Sequence, residues 1–293
     1  MDVAGHAMEN GFSKKSLKRS AASDRVAGRE ILRWSRGALA TEHDALAVEE
    51  PLEIRLGGRR FTITMRTPGH DEELAAGFML SEGFIATRDE LGEIRRVRDR
   101  KGAPEPNVID IVLEVPAAHL RERLRRNFPI TSSCGLCGRT TIESLSQRIS
   151  PVASSLRIGA AAIAKLGPSM KKSQAVFAET GGLHAAALFN RKGALDCVCE
   201  DIGRHNATDK VLGDALLRGR VPLGESLLMV SGRLSFEIVQ KAAAAGVPIL
   251  AGVSAPSSLA VELADELGVT LIGFLRGTTF NVYAHPERVV MRR

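Results

Sequence analysis

The residues best suited to chemistry in this sequence are two thiols three positions apart. Cys134 and Cys137 sit in the run Ser132-Ser133-Cys134-Gly135-Leu136-Cys137-Gly138. The run lies in an irregular stretch, Asn127 to Arg139, and leads toward Thr140-Thr141-Ile142-Glu143, a capping-box pattern where a helix should start. Unpaired N–H groups and the positive dipole end of a helix start favour thiolate over thiol. A thiolate is the nucleophile for attack on a disulfide or persulfide sulfur. Gly135 and Gly138 keep side-chain bulk away from the sulfurs. Three readings of the pair stay open: a reactive thiol carrying sulfur or electrons, half of a zinc site completed by Cys197 and Cys199, or two structural cysteines. Cys197-Val198-Cys199 lies in an apparent strand, where i and i+2 share a face. That spacing suits tetrahedral zinc less well than a second Cys-x-x-Cys, and a buried core pair is the plainer reading of those two. A thioredoxin-like site would follow a strand directly, whereas a helix and a Pro-containing loop precede this motif. Zinc deaminase catalysis lacks its His-x-Glu and its Pro before the cysteines, since Ser133 stands there and His184 comes later.

Five more stretches sit where apparent strands and helices hand over. Glu179-Thr180-Gly181-Gly182-Leu183-His184 places a histidine at a strand start, which an ordinary turn and a structural histidine would also explain. In Glu200 to Lys210, eight of eleven residues are polar or charged. A solvated helix start accounts for some of them. It does not account for Arg204 and His205 at the C-terminal end of a strand, where α/β sheets place ligands. Ser231-Gly232-Arg233, Gly252 to Ser258, and Phe274-Leu275-Arg276-Gly277-Thr278-Thr279-Phe280 repeat that placement. Backbone N–H groups, hydroxyls and arginines suit phosphate oxygens and nucleobase edges. No phosphate fingerprint of the Gly-x-Gly-x-x-Gly or Walker kind is present. Together these stretches describe a rim for a large anionic, nucleotide-like ligand.

The elements that position them follow from hydrophobic period. Pro51 to Thr67 reads as a hairpin turning at Gly57-Gly58. His70 to Gly83 reads as a helix with Asp71, Glu72 and Glu73 on its positive end. A strand over Val108–Val115 and a basic helix over 117–126 come next. After about residue 160, strands (His184–Phe189, Ala194–Cys199, Ser226–Val230, Pro248–Val253, Thr270–Leu275) mix with helices (Ala161–Lys171, His205–Leu217, Ser235–Ala245, Ser257–Leu267). That alternation argues a largely parallel sheet in an α/β layer fold. Residues 1 to about 28 are polar and aperiodic. They read as a basic tail without order, with order starting near Ile31.

The chain has 293 residues, 44% hydrophobic and 25% charged, ordinary for a folded protein of about two domains. A formal charge of +6 favours anionic partners but over this length is weak evidence for nucleic acid, and the low aromatic content argues against stacking platforms for single strands, so no nucleic-acid partner is expected. No window reaches the ~18 uncharged apolar residues of a membrane span, and no apolar core follows the N-terminal lysines as in a signal peptide. Four cysteines fit a reducing compartment, the cytoplasm, better than a secreted framework.

Taken together, Cys134-Gly-Leu-Cys137-Gly, Thr180-Gly-Gly-Leu-His184, Glu200-Asp-Ile-Gly-Arg204-His205-Asn206, Ser231-Gly-Arg233 and Phe274-x-Arg276-Gly277 resemble the formate dehydrogenase accessory sulfurtransferase family, FdhD/NarQ. The resemblance spans about residues 35–290. It implies an α/β, cytidine deaminase-like layered fold with a mixed sheet flanked by helices, plus a small N-terminal α+β domain. The expected divisions are a disordered tail at 1–30, a small domain at 31–140 ending in the cysteine loop, and a cofactor-binding domain at 141–293. It further implies a homodimer that accepts persulfide sulfur from a cysteine desulfurase. The sulfur passes to the molybdenum bis-pterin guanine dinucleotide cofactor, bound as cargo, before insertion into apo-formate dehydrogenase. No resident metal is expected. By resemblance Cys134 bears the persulfide, Cys137 is its partner, and Phe274 to Thr279 bind the cofactor. Ser231, Arg233, Arg204, His205 and His184 complete the expected rim. A cofactor chaperone without sulfur chemistry is the rival reading.

Overall fold

The structure is a computed structural model, and it describes residues 18–20, 23–99, 101–116, 120 and 149–291. The helix expected over 117–126 (Leu120 apart), the capping box, the boundary at 140 and both cysteines of the Cys-x-x-Cys run lie outside the described residues.

The described chain begins with a ribbon. Strand β1 (Lys18–Ser20) pairs antiparallel with the root of β2 (Ser23–Ser35), and β2 pairs along its length with β3 (Ala38–Ala47). This corrects the expectation that order begins near Ile31. Backbone pairing, not apolar content, organises the segment, and only Val26 and Ala27 near its root are buried.

A four-stranded sheet follows, in the order β5-β4-β7-β6. Its strands are β4 (Glu50–Leu56), β5 (Arg59–Arg66), β6 (Leu91–Arg98) and β7 (Pro104–Leu113). The expected hairpin over 51–67 is β4 and β5, turning at Gly57-Gly58 with both glycines at positive φ. Leu52, Ile54, Ile109 and Ile111 bury one face of this sheet in the same core as Leu74, Met79 and Leu80 of α1 (Asp71–Ser81).

The larger sheet has the order β10-β9-β11-β12-β13-β14. Its strands are β9 (His184–Asn190), β10 (Leu195–Asp201), β11 (Ser226–Val230), β12 (Ile249–Gly252), β13 (Thr270–Arg276) and β14 (Thr279–Ala284). Strands β11, β12 and β13 are parallel, while β9, β10 and β14 make the sheet mixed. A short parallel pair, β8 (Ile158–Gly159) with β15 (Val289–Val290), lies apart from it. Alternate residues of the central strands enter different cores. Ala186, Leu188 and Leu228 pack on one side, and Ala187, Phe189 and Met229 on the other. Strands covered on both faces must be apolar throughout, which is why this half reads so plainly in the sequence. Helix α2 (Ala160–Lys172) supplies Ile163, Leu166 and Met170 to one core. Helices α4 (Arg204–Leu217), α5 (Phe236–Ala244) and α6 (Ser258–Glu266) supply the other. A short α3 (Ala175–Thr180) lies between α2 and β9.

The two halves share one core, because α1 crosses α4 at a contact between glycines. A Cβ on Gly77 would lie 1.8 Å from the Asp209 carbonyl oxygen, and one on Gly213 would lie 1.8 Å from that of Glu73. No helix among the described residues is long and apolar enough to cross a membrane.

Candidate functional site

The parallel strands β11, β12 and β13 end on one edge of the large sheet. The antiparallel register brings the start of β9, the end of β10 and the start of β14 to that edge as well. His184 therefore pairs with Asp201 and lies beside the end of β11. Ser231 locks the corner. Its N–H donates to the Ala185 carbonyl at 2.9 Å, its Oγ accepts from the Ala185 N–H at 2.9 Å, and the same Oγ is 3.5 Å from His184 Nδ1. At Gly232 a Cβ would stand 3.4 Å from Arg204 Cδ and 3.6 Å from His184 Nδ1, so Arg204 and His184 flank this turn. Burial lowers the pKa of His184, and the charges of Arg204 and Arg233 lower it further. The imidazole is thus neutral near pH 7 within a positive corner.

The second half of the edge is built by the loop after β12 and a bulge in β13. Phe274 holds a left-handed backbone (φ 52°) in that bulge and donates its N–H to the Ser254 carbonyl at 3.1 Å. Turned out of the sheet, its ring is partly exposed, and the Arg276 guanidinium lies over it at 5.5 Å. Arg276 Nε donates to the Val253 carbonyl at 3.1 Å, and Val253 N–H reaches Val230 at 3.3 Å. Gly277 takes the turn at φ 56°, Thr278 is exposed, and Thr279 Oγ1 donates to the Arg276 carbonyl at 3.1 Å. Leu275 is buried in the core, which leaves its backbone alone on the edge.

The polar string from Glu200 to Lys210 divides in two. Most of it faces inward. Lys210 Nζ is 2.7 Å from Asp201 Oδ2, both fully buried, and donates to the Thr67 carbonyl at 2.8 Å. Burial pulls the Lys210 ammonium below the usual lysine range, with Asp201 opposing. Asp201 also accepts from Thr67 N–H, Gly203 N–H and Asn206 Nδ2, while Asn206 Nδ2 donates to the Met65 carbonyl at 2.7 Å. The Glu200 carboxylate takes the first N–H groups of α3, from Val176 and Phe177. These residues fasten β5 and α3 to the large sheet and are not available to a ligand. The feature missed in the sequence is Thr67, whose carbonyl, N–H and hydroxyl all serve this joint from far earlier in the chain.

Arg204 and His205 are the exception. Among the described residues the buried Arg204 Nε and His205 Nε2 have no hydrogen-bond partner. Burial, then the charges of Lys241 and Arg204, depress His205 to about 4. The unfolded chain takes up this proton near ~6.5. The stability tied to the neutral ring is therefore present above that value and lost as pH falls toward 4. We expect wild-type protein to lose about 2 kcal/mol more than His205→Gln between pH 7 and pH 5, read by urea denaturation. Parallel losses would show that the ring is not held neutral.

Cys197 and Cys199 are free thiols on one face of β10, Cys199 in the core and Cys197 packed against it. A hydrogen bond between them, with burial, pushes Cys197 up.

The profile of the FdhD/NarQ family matches residues 47–290. A "Sulfur carrier protein FdhD" of Mycobacterium tuberculosis is 48% identical over 271 residues, covering 90% of this chain and 98% of that protein. One from Streptomyces coelicolor is 49% identical, covering 90% and 95%. The crystal structure of a putative formate dehydrogenase accessory protein from Desulfotalea psychrophila superposes with a TM-score of 0.71 at 27% identity. It covers 90% of this chain and 99% of that one.

Proposed function

The chain belongs to the FdhD/NarQ family, and from that premise we propose that it is a sulfur carrier in formate dehydrogenase maturation. Cys134 takes sulfur from the persulfide of a cysteine desulfurase. Its thiolate attacks the outer sulfur, the S–S bond of the donor breaks, and the donor cysteine leaves as thiolate. Cys137 then attacks the inner sulfur of Cys134. A disulfide forms, and the outer sulfur leaves as sulfide for transfer. The two thiols are oxidised as the sulfane sulfur is reduced, so a cellular thiol must reopen the disulfide for another cycle. The acceptor is the molybdenum bis-pterin guanine dinucleotide, held as cargo for apo-formate dehydrogenase.

The observation that carries this reading is a positive sheet edge, with Arg204 and Arg233 acting on a neutral histidine at one part of it and Arg276 lying over an outward-turned phenylalanine at another. The orphaned Arg204 Nε and His205 Nε2 fit a ligand rich in acceptors. Arginine forks suit pyrophosphate oxygens, and Phe274 offers a face for a purine. We place the protein in the cytoplasm, where thiols stay reduced. We also propose that its layering is that of the cytidine deaminases. An antiparallel hairpin, β9 and β10, ahead of three parallel strands supports it.

The test is intact mass after incubation with a cysteine desulfurase and cysteine. Wild type should gain one reducible sulfur, about 32 Da, and Cys134→Ala should gain none while still binding the guanine dinucleotide. Unchanged formate dehydrogenase maturation by Cys134→Ala would leave a chaperone that binds cofactor without sulfur chemistry.

A further inference from the structure

Two thiols that the sulfur-transfer reading does not use lie side by side on β10. Cys197 and Cys199 are free, they share one face of the strand, and Cys197 donates a hydrogen bond to Cys199. Cys199 is 3% exposed and Cys197 is half-buried, so only a small molecule reaches the inner sulfur. Charged groups flank the pair. On the Cys199 side stand His70, at the start of α1, and the buried Lys210 of α4. His70 Nδ1 is 3.5 Å from Glu73 Oε1, and that carboxylate raises the imidazole's pKa. On the Cys197 side stands Asp214 of α4. Its Oδ2 is buried without a hydrogen-bond partner among the described residues, and Arg220 Nη2 is 3.9 Å away, beyond hydrogen-bond reach. The bond from Cys197, then the charges of His70 and Lys210, pull Cys199 below the usual thiol range against burial. The same bond, burial and Asp214 push Cys197 above it. One sulfur is poised as thiolate, and the other keeps its proton beside an acceptor.

We propose that Cys197 and Cys199 are a second reactive dithiol, a modification site that hydrogen peroxide oxidises to a disulfide within β10. The Cys199 thiolate attacks one peroxide oxygen, the O–O bond breaks, and hydroxide leaves, taking up a proton as water. Cys199 becomes a sulfenic acid, oxidised by two electrons as the peroxide is reduced. Cys197 then gives its proton to Asp214 and attacks the Cys199 sulfur. The S–O bond breaks, and the leaving hydroxide takes the proton from Asp214 as water. Two thiols and one peroxide thus give one disulfide and two waters. The strand permits this closure. Two residues of an extended strand stand about 6.6 Å apart, within the ~6.8 Å that a disulfide spans between Cα atoms. As an edge strand β10 pairs only with β9, and its register is already irregular between Leu195 and Cys197, so it draws in at the cost of one ladder. The pull falls beside Glu200 and Asp201, which fasten α3 and β5 to the large sheet. Oxidation should therefore lower the urea midpoint, and reduction should restore it. The inference stands apart from the sulfur-transfer reading, since neither Cys134 nor Cys137 enters it.

Trypsin separates the two dithiols of the chain. Cleavage after Lys192 and Arg204 releases a peptide with Cys197 and Cys199, and cleavage after Arg126 and Arg139 releases one with Cys134 and Cys137. The experiment titrates the reduced full chain with hydrogen peroxide, stops with catalase, alkylates with N-ethylmaleimide in urea and maps the peptides by mass. Peptide 193–204 should lose two hydrogens, about 2 Da, and escape alkylation until dithiothreitol is added. Cys197→Ser should leave Cys199 as a sulfenic acid that dimedone traps, whereas Cys199→Ser should leave Cys197 reduced and alkylated. Asp214→Asn should slow closure several-fold. A wild-type peptide 193–204 still doubly alkylated in excess peroxide would overturn the proposal. So would its cross-linking to peptide 127–139 or to a second chain, and so would dimedone capture at Cys197 rather than Cys199. Should a variant fail to give a native circular dichroism spectrum, the wild-type peptide map decides.

Discussion

Gly77→Ala and Gly213→Ala should each leave little or no folded protein. Propensity predicts the reverse, because alanine in a helix interior is favoured over glycine by about 1 kcal/mol. The crossing of α1 and α4 decides the sign. The new methyl on Gly77 would sit 1.8 Å from the Asp209 carbonyl oxygen and 2.9 Å from the Gly213 nitrogen, and the one on Gly213 meets Glu73 and Gly77 in the same way. These are backbone atoms of helices packed into one core, so no side chain can swing aside, and the helices must separate. The expected loss exceeds ~4 kcal/mol, a large share of the ~5–15 kcal/mol that holds a folded domain. Gly167→Ala in α2 is the control. Its methyl would touch only the flexible end of Met229 at 3.4 Å, and stability should stay within about 1 kcal/mol of wild type. Soluble yield and urea midpoints separate the three. Wild-type stability for Gly77→Ala would disprove the close crossing.

The same contrast explains what the sequence disclosed. Ser226–Val230 matches its strand residue for residue, because burial on both faces leaves no polar position to blur the period. The ribbon of β2 and β3 was hidden for the opposite reason. Arg29, Arg33, Glu42 and Asp44 fill its second face, an ion pair at 2.9 Å joins Arg33 to Glu42, and a polar composition imitates a tail. Strand ends pointed to one edge of the sheet, and the structure brings His184, Arg204, Ser231 and Arg276 there. What no local pattern reveals is the direction in which a charge faces. Asp201 and Lys210 look as ready for a ligand as Arg204 does until Thr67, just past the end of β5 in the other sheet, closes over them.

Lys241 offers the second large effect, and it reaches the candidate site. Its ammonium is buried in α5 and donates to Asp209 Oδ1 and Oδ2 at 2.9 and 3.0 Å, to Ser81 Oγ at 2.8 Å and to Glu82 Oε1 at 2.8 Å. Burial works against the charge, but Asp209 and Glu82 outweigh it and hold Lys241 above the lysine range. Lys241→Met removes the cation and strands the carboxylates, so a loss of about 3–5 kcal/mol is expected. Adding Asp209→Asn should restore most of it, since the remaining amide can bond to Ser81 and Glu82 can turn to water. Acid should also narrow the loss. Burial raises the folded pKa of Asp209 above its unfolded ~3.9, with Lys241 opposing, so Asp209 favours folding at low pH and loses that contribution as pH rises. Urea titrations at pH 7 and pH 5 test both points, and a single variant as stable as wild type would refute the buried pair. The change carries to the sheet edge because Lys241 is, after burial, the main charge depressing His205. Its removal should raise the His205 pKa, seen by NMR titration. Burial first and the Lys241 charge second thus hold the ring beside Arg204 neutral, so a change in the core ion pair is felt at the candidate site.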